Sequence, residues 1–153
     1  MTFDLDRFKR AQEGPDGFAT ALAELEAGRK RSHWIWYIFP QLAGLGASSA
    51  SIRYGLQGSD EATAYLRDPV LRDRLLRVST ALLKQLERDP ARALADVMGS
   101  EIDALKLVSS MTLFREIARR VDDLDLAATS AAILQDATRQ GYRECEFTLR
   151  VLA

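Results

Sequence analysis

The sequence predicts an all-α fold, a single domain of seven or eight helices with no sheet. Apolar residues recur every three or four positions through most of the 153-residue chain, the spacing of one buried helix face. Two pairs, Asp68-Pro69 and Asp89-Pro90, are typical helix starts, because proline fits the first helical position. Only Phe147, Leu149 and Val151 alternate as a strand would, and no second strand is available to pair with them. We therefore assign the whole chain to one helical domain.

Capping signals mark the boundaries of these helices. Gly28, Gly99 and Gly141 are expected to end helices, because glycine readily adopts the left-handed conformation that follows a last turn. Ser100 followed by Asp103 resembles a capping box and predicts a long helix from that point. In chain order, helices or short helical segments are expected to start near Phe3, Phe18, His33, Ser59, Pro69, Pro90, Glu101 and Asp123, and the tail from Tyr142 is assigned as helical.

The composition argues against several classes of function. A net charge of -1 does not suit a dedicated nucleic-acid-binding domain, which would usually be strongly basic. The single cysteine, Cys145, excludes an internal disulfide and favours a reducing compartment. There is no cluster of Cys and His, so neither a metal nor a cofactor is assigned. No run approaches the roughly 20 apolar residues of a membrane-spanning helix, and the N-terminus is charged, so we expect a cytoplasmic protein without membrane contact.

One stretch, residues 28–58, differs in composition from the rest of the chain. It contains the only histidine, His33, both tryptophans and five of the nine glycines, and it holds four cations but no Asp or Glu. Ser32 is the expected N-cap of a short helix over residues 33–39 within it. A basic, aromatic, glycine-rich stretch in an otherwise acidic protein indicates a site for an anionic ligand with an aromatic part.

The predicted pocket combines cations, aromatic rings and hydroxyl groups. His33 is the candidate acid/base, because histidine exchanges protons near neutral pH. Arg31 is the nearest cation to it and suits bidentate contact with a phosphate or carboxylate. Trp34 and Trp36 lie two positions apart on a short helix, so only one can face the ligand while the other is core. The remaining expected lining residues are Gln41, Ser48, Ser51 and Tyr54, with Lys106 and Ser110 as the opposite wall.

Three interpretations of this stretch remain open at the level of the sequence. In the first, the protein binds an anionic, nucleotide-like or phosphorylated small molecule; as an enzyme it would be a metal-independent hydrolase or transferase using His33. In the second, the tryptophan and arginine side chains form an interface for a protein partner, with no catalysis. In the third, the stretch is core and helix caps, and function lies elsewhere. The oligomeric state does not follow from the sequence.

Four blocks of the chain carry a resemblance to a known bacterial family. The blocks are RKRSHWIWYIFPQLAGLG at 29–46 with SxxSxxYG from Ser48, EATAYLRDPVL at 61–71, DALKLVSSMTLF at 103–114, and G…CxxTLxxL from Gly141. On them the chain resembles the domain-of-unknown-function family 1810, from about Asp4 to Leu152. The resemblance implies an all-helical single domain and supplies no reaction. The calpastatin-like label often given to the family implies a disordered protease inhibitor, which a chain with a helical core does not resemble.

Overall fold

The computed structural model describes residues 2–153 and confirms the all-helical fold. The helices in that range are α1 (Asp6–Gln12), α2 (Phe18–Glu26), α3 (Ile35–Ile38), α4 (Ser49–Tyr54), α5 (Gly58–Arg67), α6 (Pro69–Arg88), α7 (Leu94–Met98), α8 (Glu101–Arg120), α9 (Leu124–Arg139) and α10 (Glu146–Leu152). These ten helices outnumber the predicted seven or eight, and α4 has a weak signal in the sequence. None of the residues in α4 is buried, so it shows no apolar stripe in the sequence.

Side-chain caps define the starts of the two longest helices. Asp68 accepts hydrogen bonds from two backbone N–H groups in the first turn of α6, where Pro69 also lies. Ser100 Oγ accepts a hydrogen bond from the Asp103 N–H at the start of α8 (3.1 Å). The predicted helix ends are confirmed at Gly28, Gly99 and Gly141, with φ of 96°, 84° and 98°.

Helix α8 lies at the centre of the fold. It packs against α5, α7, α9 and α10, while α6 packs against α2 and α9. Residues 110–115 are all buried, which requires neighbours on every side of this part of α8. Among residues 2–153, no helix combines the length and apolar character that crossing a membrane requires.

The prediction for the C-terminal tail is confirmed, whereas the prediction for the start of α3 is not. The tail is helical, as predicted, because Thr148 and Leu152 are buried on one face of α10. The predicted start of α3 is wrong: the helix begins at Ile35 instead of His33. Ser32 does not cap it, because its hydroxyl donates a hydrogen bond to Glu24.

Residues 43–55 form an exposed excursion that carries α4. Its two ends meet at an isolated parallel bridge between Leu42 and Leu56. The Ala43 N–H donates to the Leu56 carbonyl (2.9 Å), and the Leu56 N–H donates to the Gln41 carbonyl (3.0 Å). The excursion is therefore closed at its base by backbone hydrogen bonds and left exposed at its tip.

A buried ion pair fastens the base of this excursion to α1. Arg7 donates to both carboxylate oxygens of Glu61 (2.8 and 3.3 Å) and to the carbonyls of Arg53 (2.8 Å) and Gly55 (3.1 Å). Glu61 is only 2% exposed, and it also accepts a hydrogen bond from the Gln57 N–H (2.8 Å). Arg7 and Glu61 therefore join three separate parts of the chain.

Replacing Glu61 by Ala should destabilise the fold by about 3–5 kcal/mol, because it leaves the guanidinium of Arg7 without its buried partner. The free energy of unfolding from urea denaturation measures this. Asp4→Ala is the control, since Asp4 and Arg10 form a longer pair (3.6 Å) whose two side chains are both exposed. Equal losses in the two variants would contradict the structural role of the buried pair.

Candidate functional site

The segment of residues 29–34 lies against the turn between α7 and α8. The Lys30 N–H donates to the Val97 carbonyl (2.8 Å), and Lys30 Nζ forms an ion pair with Asp103 Oδ2 (2.7 Å). Gly99 permits this close approach, since a Cβ at that position would lie 2.8 Å from the Lys30 carbonyl oxygen. Lys30 is buried, so its charge fixes the segment to α8 and is not free to meet a ligand.

The carboxylate of Glu24, on α2, holds the same segment from another side. It accepts hydrogen bonds from the backbone N–H groups of Arg31 (2.7 Å) and Ser32 (2.9 Å), from the Ser32 hydroxyl, and from Trp34 Nε1 (2.9 Å). Burial opposes the ionisation of Glu24. The hydrogen bonds from Ser32, Arg31 and Trp34 outweigh it and lower the pKa of Glu24 from 4.5 to about 2. The segment is thus fixed between α2 and α8 before any ligand is present.

An open cleft of about 310 Å³ lies between this segment and the α7–α8 turn. Its walls are formed by Lys30, Arg31, His33, Trp36, Met98, Gly99, Ser100, Ile102 and Asp103. Three of the residues predicted for the pocket, Arg31, His33 and Trp36, therefore line one concave site. Arg31 and His33 are exposed, whereas Trp36 is half-buried.

Several hydrogen-bond donors at this cleft lack a partner within the described residues. Trp36 Nε1 is buried and bonds to no protein atom. The backbone N–H groups of Glu101 and Ile102 lie in the first turn of α8, where a helix has no acceptor of its own, and no other backbone carbonyl reaches them. Of these donors, the Ile102 N–H belongs to a residue that lines the cleft, whereas Trp36 Nε1 is enclosed by protein atoms.

The other predicted lining residues lie outside this cleft. Trp34 is fully buried, with its ring beneath Lys30 Nζ (5.0 Å to the centroid), so of the two tryptophans it is the one that belongs to the core. Gln41 is buried at the base of the excursion, and the ring of Tyr54 packs at a tilt against that of Tyr37, with 5.3 Å between the centroids.

The predicted hydroxyl groups and the opposite wall are also elsewhere. Ser48 and Ser51 are hydrogen-bonded to each other (3.0 Å), and Ser48 caps α4. Lys106 and Ser110 lie further along α8 and are not among the residues that line the cleft. Ser110 is fully buried and its hydroxyl has no partner among the described residues. The residues predicted to line a single pocket therefore do not meet in one place. Arg31, His33 and Trp36 line the cleft, and the chain turns away from it after Trp36.

Sequence reasoning missed the two acids that accompany this site. The stretch without Asp or Glu is accompanied in space by Glu24 from α2 and Asp103 from α8. Asp103 pairs with Lys30, which is distant from it in the sequence. Arg31 is consequently the one lining cation whose charge is not used in an ion pair within residues 2–153. The charge available at the cleft is smaller than the local sequence suggests.

The described residues contain no group of three or more His, Cys, Asp or Glu side chains arranged to hold a metal ion. His33 and Asp103 line the same cleft, but no hydrogen bond joins them. The cleft thus offers a single unengaged acid/base group rather than a linked pair.

Comparison with known proteins places the fold in a family without an assigned activity. The family model described as "Protein of unknown function (DUF1810)" matches residues 2–135. The crystal structure of the conserved hypothetical protein Rv1873 from Mycobacterium tuberculosis is similar, with a TM-score of 0.79 and 37% sequence identity. The match covers 98% of this chain and 96% of that chain. No curated protein matches the chain.

The substitution Glu24→Gln should lower stability at neutral pH by about 1.5–3 kcal/mol, because a neutral amide replaces a carboxylate that accepts four hydrogen bonds. The pKa of Glu24 is depressed in the folded state, so its contribution is fully present above pH 4.5 and is lost as the pH falls towards 2. As the pH is lowered from 4.5 towards 2, the free energy of unfolding should therefore fall less steeply in the variant than in the unaltered protein.

Glu26→Gln is the matched control, since Glu26 is an exposed residue on the same helix. If the control and Glu24→Gln showed the same pH dependence as the unaltered protein, the carboxylate of Glu24 would not be the group that fixes the segment.

Proposed function

We propose, on the premise that the chain belongs to the DUF1810 family of proteins of unknown function, that its cleft binds a small anionic ligand. The ligand is a nucleotide-like or otherwise phosphorylated molecule, or a carboxylate, with one apolar or aromatic group. The observation that carries the proposal is that Arg31, His33 and Trp36 line one concave site against the N-terminus of α8.

The donors at the cleft suit an anionic group. Arg31 can make a bidentate contact with a phosphate or carboxylate. The first turn of α8 supplies the positive end of a 20-residue helix and the unpartnered N–H groups of Glu101 and Ile102. The indole ring of Trp36 adds an aromatic wall to the cleft. These groups come from two separate parts of the chain, so a bound anion would bridge the segment and α8.

The cleft also limits the size and charge of the ligand. A volume of about 310 Å³ is at the small end of the range for ligand sites, which favours a single small ring and one anionic group over a dinucleotide. Lys30 and Asp103 neutralise each other, so Arg31 supplies the unpaired charge. We therefore expect modest affinity and a marked dependence on ionic strength.

A thermal-shift screen against mononucleotides, sugar phosphates and aromatic carboxylates tests the proposal. A ligand at about 100 times its dissociation constant should add about 2.7 kcal/mol of stability, a shift of roughly 5 to 10 °C for a domain of this size. A hit that persists in His33→Ala, Arg31→Ala and Trp36→Phe alike would exclude the cleft as its binding site.

Replacing Arg31 by Ala should weaken the binding of such a hit by roughly 10- to 100-fold and reduce its salt dependence, because a charge-assisted contact is lost. Isothermal titration at two ionic strengths measures both effects. Arg29→Ala is the control, since Arg29 is exposed on the same segment but does not line the cleft. An equal loss in the two variants would indicate diffuse attraction to the basic segment instead of a contact by Arg31.

Replacing Trp36 by Phe should weaken ligand binding without lowering the stability of the free protein. The variant presents a smaller aromatic wall to the ligand, and the buried Nε1–H that it removes has no partner to lose in the free state. Thermal unfolding with and without ligand separates the two effects. A large loss of stability in the free variant would instead assign Trp36 to core packing alone.

A second candidate function rests on exposed apolar residues beside the same cleft. Ile102 and Leu105 are 64% and 52% exposed and lie three positions apart on α8, so they share one face of the helix. With Trp36 and Arg31 they could form the centre of a protein interface. This function would be favoured if no compound in the screen shifted the melting temperature. It would also require a protein partner that is captured by the unaltered protein but not by Leu105→Glu.

A further inference from the structure

A second basic surface lies between α2 and α6 and shares no residue with the cleft. It is a groove of about 420 Å³ between α2 and α6. Its floor contains Leu22, Leu76 and Ala81, and its rim on α6 contains Arg77, Lys84 and Arg88. We call this feature the α2–α6 groove. The first two floor residues are half-buried, so the groove exposes apolar surface between charged walls.

The charges of the α2–α6 groove are not balanced within the protein. None of Arg77, Lys84 and Arg88 forms an ion pair in residues 2–153. The guanidinium of Arg77 lies over the ring of Phe18, 5.1 Å from its centroid, which holds this cation at the rim without neutralising it. Glu26 is the one carboxylate that lines the groove, against three cations. In a chain whose net charge is -1, this is a local excess of positive charge.

The spacing of the cations indicates an extended ligand. At 1.5 Å per residue, Arg77 and Lys84 are roughly 10 Å apart along α6, and Lys84 and Arg88 are roughly 6 Å apart. One phosphate or carboxylate cannot reach all three. Carboxylates separated by seven and four positions on another helix would have the same rise and would share one face.

We propose that the α2–α6 groove is a docking site for an acidic amphipathic helix of a protein partner. The apolar face of that helix covers Leu22 and Leu76, and its carboxylates pair with the three cations of the rim. The groove favours a helix over a lipid surface, because its apolar floor is recessed between two helices where a flat bilayer would not reach. Charge complementarity supplies the orientation, and the apolar floor distinguishes this docking from simple attraction between charges.

The test uses the full chain and a labelled synthetic peptide of about 15 residues, enough to span the groove as a helix. The peptide carries glutamates at positions i, i+7 and i+11 beside a stripe of leucines. A second peptide of identical composition has the glutamates moved to the opposite face. Fluorescence anisotropy at about 50 mM and about 300 mM salt measures the affinity of each.

Three protein variants make the result specific. The charge-reversal variant combines Arg77→Glu, Lys84→Glu and Arg88→Glu. The groove-filling variant, Thr80→Trp, leaves the charge unchanged and places a bulky ring where Thr80 lines the groove. The control combines Arg67→Glu, Arg143→Glu and Arg150→Glu, exposed cations that also form no ion pair in the described chain. Circular dichroism verifies that each variant remains helical.

We expect the first peptide to bind the unaltered protein and the control, with affinity roughly tenfold or more weaker for the charge-reversal and groove-filling variants. The rearranged peptide should bind at least about tenfold more weakly than the first. Absence of binding at low salt, equal binding of the two peptides, or an equal loss in the control would overturn the proposal.

Two other occupants give distinct results. Binding to vesicles of anionic lipid that is lost on charge reversal but kept in Thr80→Trp would assign the surface to a membrane and overturn the proposal. A second copy of the chain could instead present Leu124, which is 78% exposed and lies between Asp122 and Asp125. Sedimentation showing self-association that is lost in Thr80→Trp would assign the groove to that contact and equally overturn the proposal.

Discussion

The carboxylate of Glu24 determines where the candidate cleft can form. A short segment that belongs to neither α2 nor α3 would have several backbone and side-chain donors without partners. Glu24 satisfies four of these donors, while Lys30 reaches across to Asp103 on α8. The segment is therefore held by charge and hydrogen bonds on two sides instead of by an apolar face of its own. Arg31 and His33 remain exposed because their neighbours in sequence make these contacts.

Much of the fold follows from local sequence signals, but the shape of the site does not. Asp68, Ser100 and the terminating glycines act within one turn of the residues they cap, so their effect is visible in a short window of sequence. Helix α4 leaves no periodic signal in the sequence, because none of its residues is buried. The division of the predicted pocket depends on where the chain turns after Trp36, which is set by contacts with distant helices.

The distribution of charge along the sequence differs from its distribution in the folded structure. The absence of Asp and Glu from residues 28–58 is a true property of the sequence, yet Glu24 and Asp103 restore negative charge in space. Helix α6 carries five cations and two acids, but its sequence does not show that Arg72 pairs with Asp123. Nor does it show that Arg77, Lys84 and Arg88 line one groove without ion-pair partners. Net charge over a stretch of sequence therefore measures the electrostatics of a surface poorly when helices bring distant residues together.

The excursion over residues 43–55 has a consequence for the energy landscape of the native state. No residue of α4 is fully buried, and Tyr54 is the one residue of this helix that packs against the core. The amides of α4 should therefore exchange with solvent well before those of α8. Its base is held separately, by the bridge between Leu42 and Leu56 and by Arg7 with Glu61. Opening of the tip is thereby uncoupled from global unfolding. A protease could cut the tip and leave two fragments that stay associated through the core.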